Sequence, residues 1–404
     1  MKLLFIGVAA SDGVLRETMN RYYGGRAEVR PQQHFDFAVA KGLAESCEIV
    51  ALSEPPIASF PRSSCILYRH AREELSPSLS IIYLPLVNLP MLKTVLVFLQ
   101  ILLRALRFCG RGGDDRAILM GYISAYTALP ALTIARAFGI PVFAVVPDLP
   151  RLMATYGTIR NPLRRLGLWL GTPLTRYVEP RFDGYVFLAG AMNQAINRKD
   201  RPFIIVEGMF DERGLATVKR EPKEPRKTVM YAGTVHRKYG IKALVEAFLR
   251  PELTGVDLWV FGNGDYLEEL RAVSATAPNI IYRGVVGRDE VFRFEQRATL
   301  LVNPRPTSDE FTRYSFPSKT LEYMASGTPL ASTRLAGIPA EYFEHLYWFD
   351  DESGPGMARR IVEILEQPPD VIEAKGERAR AFVLGSKTTS IQAARISAFI
   401  RSHR

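Results

Sequence analysis

Short, uninterrupted apolar runs punctuate the chain at 3–6, 49–52, 81–84, 117–120, 141–146 and 184–188 in its first half. Segments of helical periodicity, such as 36–46 and 123–138, lie between several of them. Continuous apolar strands alternating with helices predict a parallel sheet covered on both faces. The second half repeats the pattern, with runs at 229–232, 258–261, 280–282, 300–302 and 329–332. Helical patterns separate these near 240–250, 265–275, 288–297 and 318–326. The expected fold class is therefore α/β, with two doubly wound, Rossmann-like domains facing a central cleft. The expected limits are 1–208 for the first domain, 209–227 for a linker and 228–385 for the second domain. A final helix, 386–404, is expected to cross back to the first domain. The linker reading rests on ERGLATVKREPKEPRK (212–227), which is charged, holds two prolines and lacks apolar periodicity.

One segment breaks the alternation. Residues 91–108, MLKTVLVFLQILLRALRF, are apolar except for a few positions. Lys93, Gln100, Arg104 and Arg107 fall within one stripe about 60° wide on a helical period. The uninterrupted apolar run is too short to span a bilayer. Two readings stay open: a core helix with one basic edge, or a helix lying on anionic lipid through Lys93, Arg104 and Arg107.

Length and composition narrow the class. A chain of 404 residues, 47% hydrophobic and 23% charged, can bury a real core without disulfide or metal staples. Cys47, Cys65 and Cys109 are too few and too scattered for a disulfide framework or a zinc site. The start MKLLFIGVAAS admits a short signal segment, and a buried first strand is preferred. The net charge of +10 is uneven: residues 1–200 carry +8 and residues 201–404 carry +2. A basic half points to nucleic acid, an anionic membrane or an anionic substrate. No helix-turn-helix, zinc or RNP pattern supports nucleic acid. FIGVAASDG lacks the G-x-G-x-x-G of a dinucleotide-binding oxidoreductase.

In doubly wound domains ligands bind beyond the carboxyl ends of the strands. Three second-half strand exits carry suitable chemistry. YAGTVHRKYG ends a strand at Gly233 and places Arg237 and Lys238 before a helix, a candidate anion site. FGNGD offers Gly262 and Asn263 for close approach to a ligand, or simply a tight turn. The third begins at Asn303-Pro304-Arg305-Pro306 and runs on through EFTRYSFPSKTLEYMASGTP. Pro317, Ser318 and Lys319 stand at a helix start, and Glu322 lies one turn on, placed to accept bonds from sugar hydroxyls.

These blocks carry a resemblance. YAGTVHRKYGIKALVEAF, LWVFGNGDYLEELR, NIIYRGVVGRDEVF, LLVNPRP and EFTRYSFPSKTLEYMASGTPLAST occur in order over residues 229–339. They resemble the donor-binding domain of retaining GT-B glycosyltransferases of glycosyltransferase family 4, in the form common among capsule, O-antigen and exopolysaccharide transferases. VVPDLPRLM (145–153), FDGYVFLAGAMNQAIN (182–197) and VEG (206–208) look like the same subgroup.

The resemblance implies site residues. Glu322 matches the family's ribose-binding glutamate. The family's earlier glutamate, which contacts the donor sugar, corresponds to Tyr314, a departure. Backbone groups of Tyr314, Ser315, Phe316, Pro317 and Ser318, together with Lys319, or Glu310, are the substitutes. The family's phosphate-binding Arg and Lys correspond to Thr234 and Tyr239, so Arg237 and Lys238 are the neighbours offered in their place. The base is expected near Gly262 and around Arg283 and Gly284. In the first domain, Asp148 is the candidate acceptor contact or base; its bland role is to cap the turn around Pro147 and Pro150.

The implied chemistry is retaining transfer from a UDP-, GDP- or dTDP-sugar to a lipid-linked or glycan acceptor in polysaccharide biosynthesis. No cofactor and no metal is implied; the Asp114–Asp115 pair lies in a glycine-rich turn and is read as solvated. The implied location is cytoplasmic, peripheral on the inner membrane, with an anionic membrane surface and no nucleic acid as partner. A catalytically inactive GT-B binding module and a nucleotide-sugar epimerase are the alternatives.

Overall fold

The computed structural model describes every residue except 24–30, 61, 62, 70, 114, 150–170 and 213–219. The chain divides into two compact units, Met1–Met209 with Thr389–Arg404, and Phe210–Thr388. Part of the expected motif 145–153 and part of the expected linker lie outside the described residues.

Unit 1 holds β1 (Lys2–Gly7), β2 (Glu48–Ser53), β3 (Leu67–Tyr68), β4 (Ala71–Ser76), β5 (Leu79–Tyr83), β6 (Leu86–Val87), β7 (Arg116–Met120), β8 (Val142–Val146), β9 (Gly184–Phe187) and β10 (Phe203–Ile205). Eight of these form one sheet in the order β10-β9-β8-β7-β1-β2-β5-β4. The runs read as buried strands occupy its interior, and β8 is buried along its whole length. One strand departs from the parallel expectation. β4, AREELS, pairs antiparallel with β5 at the sheet edge, and its side chains are almost all exposed. Its charges hide it from any search for apolar runs, and they also discourage a further strand from adding there.

The helix Thr389–Ser402 completes unit 1 by packing on the helix Pro31–Leu43. A Cβ on Gly42 would stand 2.6 Å from the Ala393 Cβ, so the missing side chain permits this contact. Ser46 donates to Ser397 (3.0 Å) and Arg401 donates to the Ser46 carbonyl (2.9 Å) at the same seam.

Unit 2 holds β11 (Thr228–Ala232), β12 (Asp257–Phe261), β13 (Ile280–Gly284), β14 (Leu300–Asn303), β15 (Leu330–Thr333) and β16 (Tyr347–Phe349). All are parallel, in the order β13-β12-β11-β14-β15-β16. The strand period of two sends Val229 and Tyr231 into the core on one face, and Met230 and Ala232 into that on the other. Residues 220–227, expected as linker, are strapped to this unit. Lys223 donates to the Ala298 carbonyl (2.8 Å) and to Thr328 (2.6 Å), and Arg297 holds Glu224 (2.7 Å). Burial lowers the Lys223 ammonium to about 8.

Each sheet reverses its strand order once, between β1 and β7 in unit 1 and between β11 and β14 in unit 2. Such reversals open a crevice at the strand exits. In unit 1, Asp36 stands over that position. It accepts from the Val8 N–H (2.8 Å) and from Gln32 (2.6 Å), while Gln32 also reaches the Gly121 carbonyl (3.1 Å). Asp36 is 1% exposed, and burial pushes its carboxyl from 3.8 up to about 7. The folded chain thus keeps a proton that the unfolded chain releases, so stability falls as pH rises from about 4 to about 7. The cost is on the order of 4 kcal/mol. Asp36→Asn is expected to flatten this fall, measured as urea unfolding of unit 1 across that range; a slope equal to that of the parent chain would dismiss Asp36 as its source.

Candidate functional site

The unit 2 reversal lies between β11 and β14, and three loops close over it. Gly240 follows β11 with φ +77°, and a Cβ there would stand 1.8 Å from the Pro304 carbonyl oxygen. Gly262 follows β12 with φ +122°, and a Cβ there would stand 1.8 Å from the Gly233 carbonyl oxygen. Backbone therefore lies directly on backbone at both places. Hydrogen bonds stitch the same loops: Gly233 N–H to the Phe261 carbonyl (3.1 Å), Val235 N–H to Asn263 (3.0 Å) and Gly262 N–H to Gly284 (2.8 Å). The expected donor residues Gly233, Gly262, Asn263 and Gly284 thus form one continuous floor. Asn263 is exposed on it.

The helix Lys319–Ala325 is fixed to this floor by Tyr323. Its hydroxyl accepts from the Ala232 N–H (2.7 Å) and donates to the Ala232 carbonyl (2.9 Å). The preceding residue, Glu322, is the centre of a charge cluster. Lys319 donates to its Oε2 (2.5 Å), and Arg288, at the start of the helix Arg288–Arg297, pairs with its Oε1 (3.0 Å). Burial alone would raise the Glu322 carboxyl; Lys319 and Arg288 outweigh it and hold it below its usual value. Burial alone would lower Lys319, but Glu322 and Glu295 raise it instead. Glu295 is 1% exposed, and neither of its oxygens has a hydrogen-bond partner among the described residues. Burial drives its carboxyl up, toward the neutral form.

The two cations offered from the first loop diverge. Arg237 turns to Glu269 and lies over the Tyr266 ring, while its N–H donates to Asp265 (2.9 Å). Lys238 instead lies over the rings of Tyr239 (5.1 Å) and Phe311 (5.6 Å). Arg305, from the loop after β14, lies over the same two rings at 4.5 and 5.8 Å. Two positive groups therefore share one aromatic pair at the strand reversal. Arg283 is exposed and stacks over Trp259 (4.6 Å), on the side of the helix Arg288–Arg297.

Glu310 is exposed on the short helical segment Glu310–Tyr314, which also carries Tyr314. Phe316 and Pro317 are buried, and Ser318 is exposed. The Ser315 and Thr320 hydroxyls are buried without a partner among the described residues. With Glu295 they leave unsatisfied polar atoms on both sides of the Lys319 helix start. Arg288 and Glu295, both on the helix Arg288–Arg297, complete the charge cluster around Glu322 and Lys319, and sequence reasoning gave neither a role.

In unit 1, Asp148 follows β8. Its residue surface is exposed, yet surrounding protein raises the carboxyl to about 6. Nearby in the sheet order, Glu54 follows β2 and accepts on one oxygen from both Tyr122 and Tyr126. Lys93 and Gln100 turn toward the protein, donating to the carbonyls of Ile57 (3.3 Å) and Pro85 (2.6 Å). Arg104 is half-buried and Arg107 is exposed. Asp115 is not merely solvated: it pairs with Arg404, whereas Asp114 lies outside the described residues. Among the described residues no cluster of His, Cys, Asp or Glu is arranged to hold a metal.

Residues 226–367, about a third of the chain, match the family model of glycosyl transferases group 1. No match was found among curated proteins. Among solved structures, sucrose-phosphate synthase from Thermosynechococcus elongatus is similar, with TM-score 0.66 and 15% identity over 100% of this chain and 99% of that one. HepE of Anabaena in complex with UDP aligns over 100% of both chains, with TM-score 0.62 and 12% identity. The UDP-forming trehalose-phosphate synthase of Burkholderia vietnamiensis does so with TM-score 0.59 and 13% identity. These likenesses show the fold, which is of the GT-B class.

Because Tyr323 satisfies a buried N–H and a buried carbonyl at the strand exit, Tyr323→Phe is expected to cost about 1–3 kcal/mol. Denaturant unfolding of unit 2 checks this; a loss below a few tenths would show that the helix is held by packing alone.

Proposed function

We propose that this chain is a retaining glycosyltransferase that moves a sugar from a nucleoside diphosphate sugar to a lipid-linked glycan in polysaccharide biosynthesis. The reading rests above all on Glu322, an ionised carboxylate compensated by Lys319 and Arg288, in a unit whose strand-exit loops also carry Lys238 and Arg305. The group 1 family match over these residues and the GT-B fold support sugar transfer from a nucleotide sugar. Several of the similar structures carry nucleotides of this kind in their names, UDP for HepE and ADP for starch synthase IV of Arabidopsis.

In this reading the Glu322 oxygens accept from the ribose hydroxyls, replacing part of what Lys319 and Arg288 now supply. The diphosphate lies toward Lys238, Arg305 and Lys319, whose charge stabilises it as it departs. The base rests on the floor at Gly262, Asn263 and Gly284, and UDP, GDP and dTDP are the nucleotides considered. No cofactor and no metal enters the reading, since placed cations carry the charge. Retention follows when the departing phosphate oxygen takes the acceptor proton on the face it leaves. Asp148 holds the acceptor hydroxyl; a carboxyl raised to about 6 and open to solvent is suited to receive a hydrogen bond at neutral pH. The enzyme works peripherally, on the cytoplasmic face of the inner membrane.

A thermal-shift panel of UDP-, GDP- and dTDP-sugars tests the donor, because bound nucleotide stabilises by mass action. Glu322→Ala is expected to weaken nucleotide binding by about tenfold or more, as loss of a charged hydrogen-bond acceptor does. Unchanged affinity would strip Glu322 of the ribose role, and binding without turnover of any donor would leave a binding module. For Asp148 the sign runs one way: protonation below about 6 removes the acceptor contact, so turnover falls on the acid side. Asp148→Asn is expected to abolish that limb and lower kcat by ~10²-fold or more, leaving nucleotide affinity intact. An acid limb that survives the substitution would assign it to another group.

A further inference from the structure

The helix Leu92–Gly110 presents three faces. Val97, Ile101, Ala105 and Cys109 are buried, and the helix packs on Ala125–Ala137. A second face gives Lys93 and Gln100 to loop carbonyls. The third face is apolar and open: Leu92, Val95, Leu99, Leu103 and Leu106 are 41, 53, 45, 54 and 44% exposed. Their spacing of 3, 4, 4 and 3 residues is that of one continuous row. At 1.5 Å per residue the row runs about 21 Å. The patch continues beyond the helix. β6 packs on the helix and pairs with β3, where Ile66 and Leu67 are 53 and 59% exposed.

Of the stripe read from the sequence, Lys93 and Gln100 turn to loop carbonyls while Arg104 and Arg107 stay beside the open apolar row. A folded monomer leaves single leucines in water freely, but an unbroken row of them marks a partner. Charge identifies which. The helix contains no acidic residue. Arg104 and Arg107 sit close enough that each opposes the other's charge. Arg111 follows the helix end and Arg69 follows β3, and both are exposed. None of these four arginines has an acidic partner among the described residues. A second copy seated row against row would crowd these arginines around one seam with no acid to answer them. Lipid phosphates answer them directly, and acyl chains cover the leucines. No helix of the described residues is long and apolar enough to cross a bilayer, so the helix would lie in the plane of the interface.

We infer that the row Leu92–Val95–Leu99–Leu103–Leu106, with the β3 tip beside it, inserts into the surface of an anionic bilayer while the neighbouring arginines engage headgroup phosphates. The inference deepens the lipid-linked acceptor of the proposed function, and its test does not use activity. The full chain is floated with vesicles of phosphatidylcholine alone and of phosphatidylcholine with an equal part of phosphatidylglycerol. Binding is expected to the mixed vesicles. Leu99→Gln with Leu103→Gln is expected to reduce it more than about tenfold, since two apolar side chains no longer enter the acyl boundary. Arg104→Gln with Arg107→Gln is expected to reduce it more at low than at high salt. Glu322→Ala is expected to bind vesicles as the parent chain does. An unchanged circular dichroism spectrum and thermal midpoint certify the fold of the leucine variant; were either lost, the milder Leu103→Ser would be read in its place. The inference is overturned if the parent chain ignores both vesicles, if the leucine variants bind as well as it does, or if light scattering shows a dimer that the leucine variants abolish. A failed donor site with intact vesicle binding would sink the transferase reading and leave the surface standing.

Discussion

The candidate site of unit 2 depends on backbone meeting backbone at one strand reversal. At Gly240 and Gly262 a carbonyl of the neighbouring loop occupies the space that any Cβ would need. No side chain can be inserted there without parting the loops after β11, β12 and β14. Those loops carry Lys238, Asn263 and Arg305, so their positions are set by main-chain geometry rather than by flexible contacts. The Tyr323 hydroxyl ties the helix with Lys319 and Glu322 to the same strand exit, which places the charge cluster on a rigid base.

That rigidity lets a nearly neutral unit present a few placed charges to the ligand proposed above. Residues 201–404 carry only +2, and several of their cations pair with nearby acids. Lys319 and Arg288 converge on Glu322, leaving the cluster with one positive charge when Glu295 is neutral. Burial of Glu295 is what keeps it neutral and prevents a second carboxylate from cancelling the cations. Lys238 and Arg305 rest on aromatic faces, which restricts their motion. An anion therefore meets a few placed charges, not a diffuse positive field.

The sequence makes the sheets legible because buried parallel strands are apolar throughout. It hides β4 because an edge strand has no need to be apolar, and it misplaces the linker because Lys223 and Glu224 look solvated until Ala298, Thr328 and Arg297 are seen beside them. Glu322, Lys319 and the glycine floor are readable because they recur at fixed spacing around helix starts and strand ends. Arg237 and Lys238 are adjacent in sequence but leave the turn toward different neighbours, a distinction no spacing rule contains. Arg288 and Glu295 share one helix and meet Lys319 and Glu322 of another, a meeting of two helices that no spacing rule contains.

The same limit governs the helix Leu92–Gly110, with the opposite outcome. Periodicity shows correctly that it has a polar stripe, but periodicity carries no information about which stripe faces the protein. The loop carbonyls of Ile57 and Pro85 decide that, because each buried acceptor needs a donor and Lys93 and Gln100 supply one. Turning Lys93 and Gln100 inward satisfies those groups and leaves leucines facing out beside Arg104 and Arg107, an arrangement water does not reward. The excess charge of unit 1 is thereby given a direction: Arg69, Arg104, Arg107 and Arg111 border an apolar surface. A positive rim around an apolar row matches a surface whose outer layer is anionic and whose inner layer is oil.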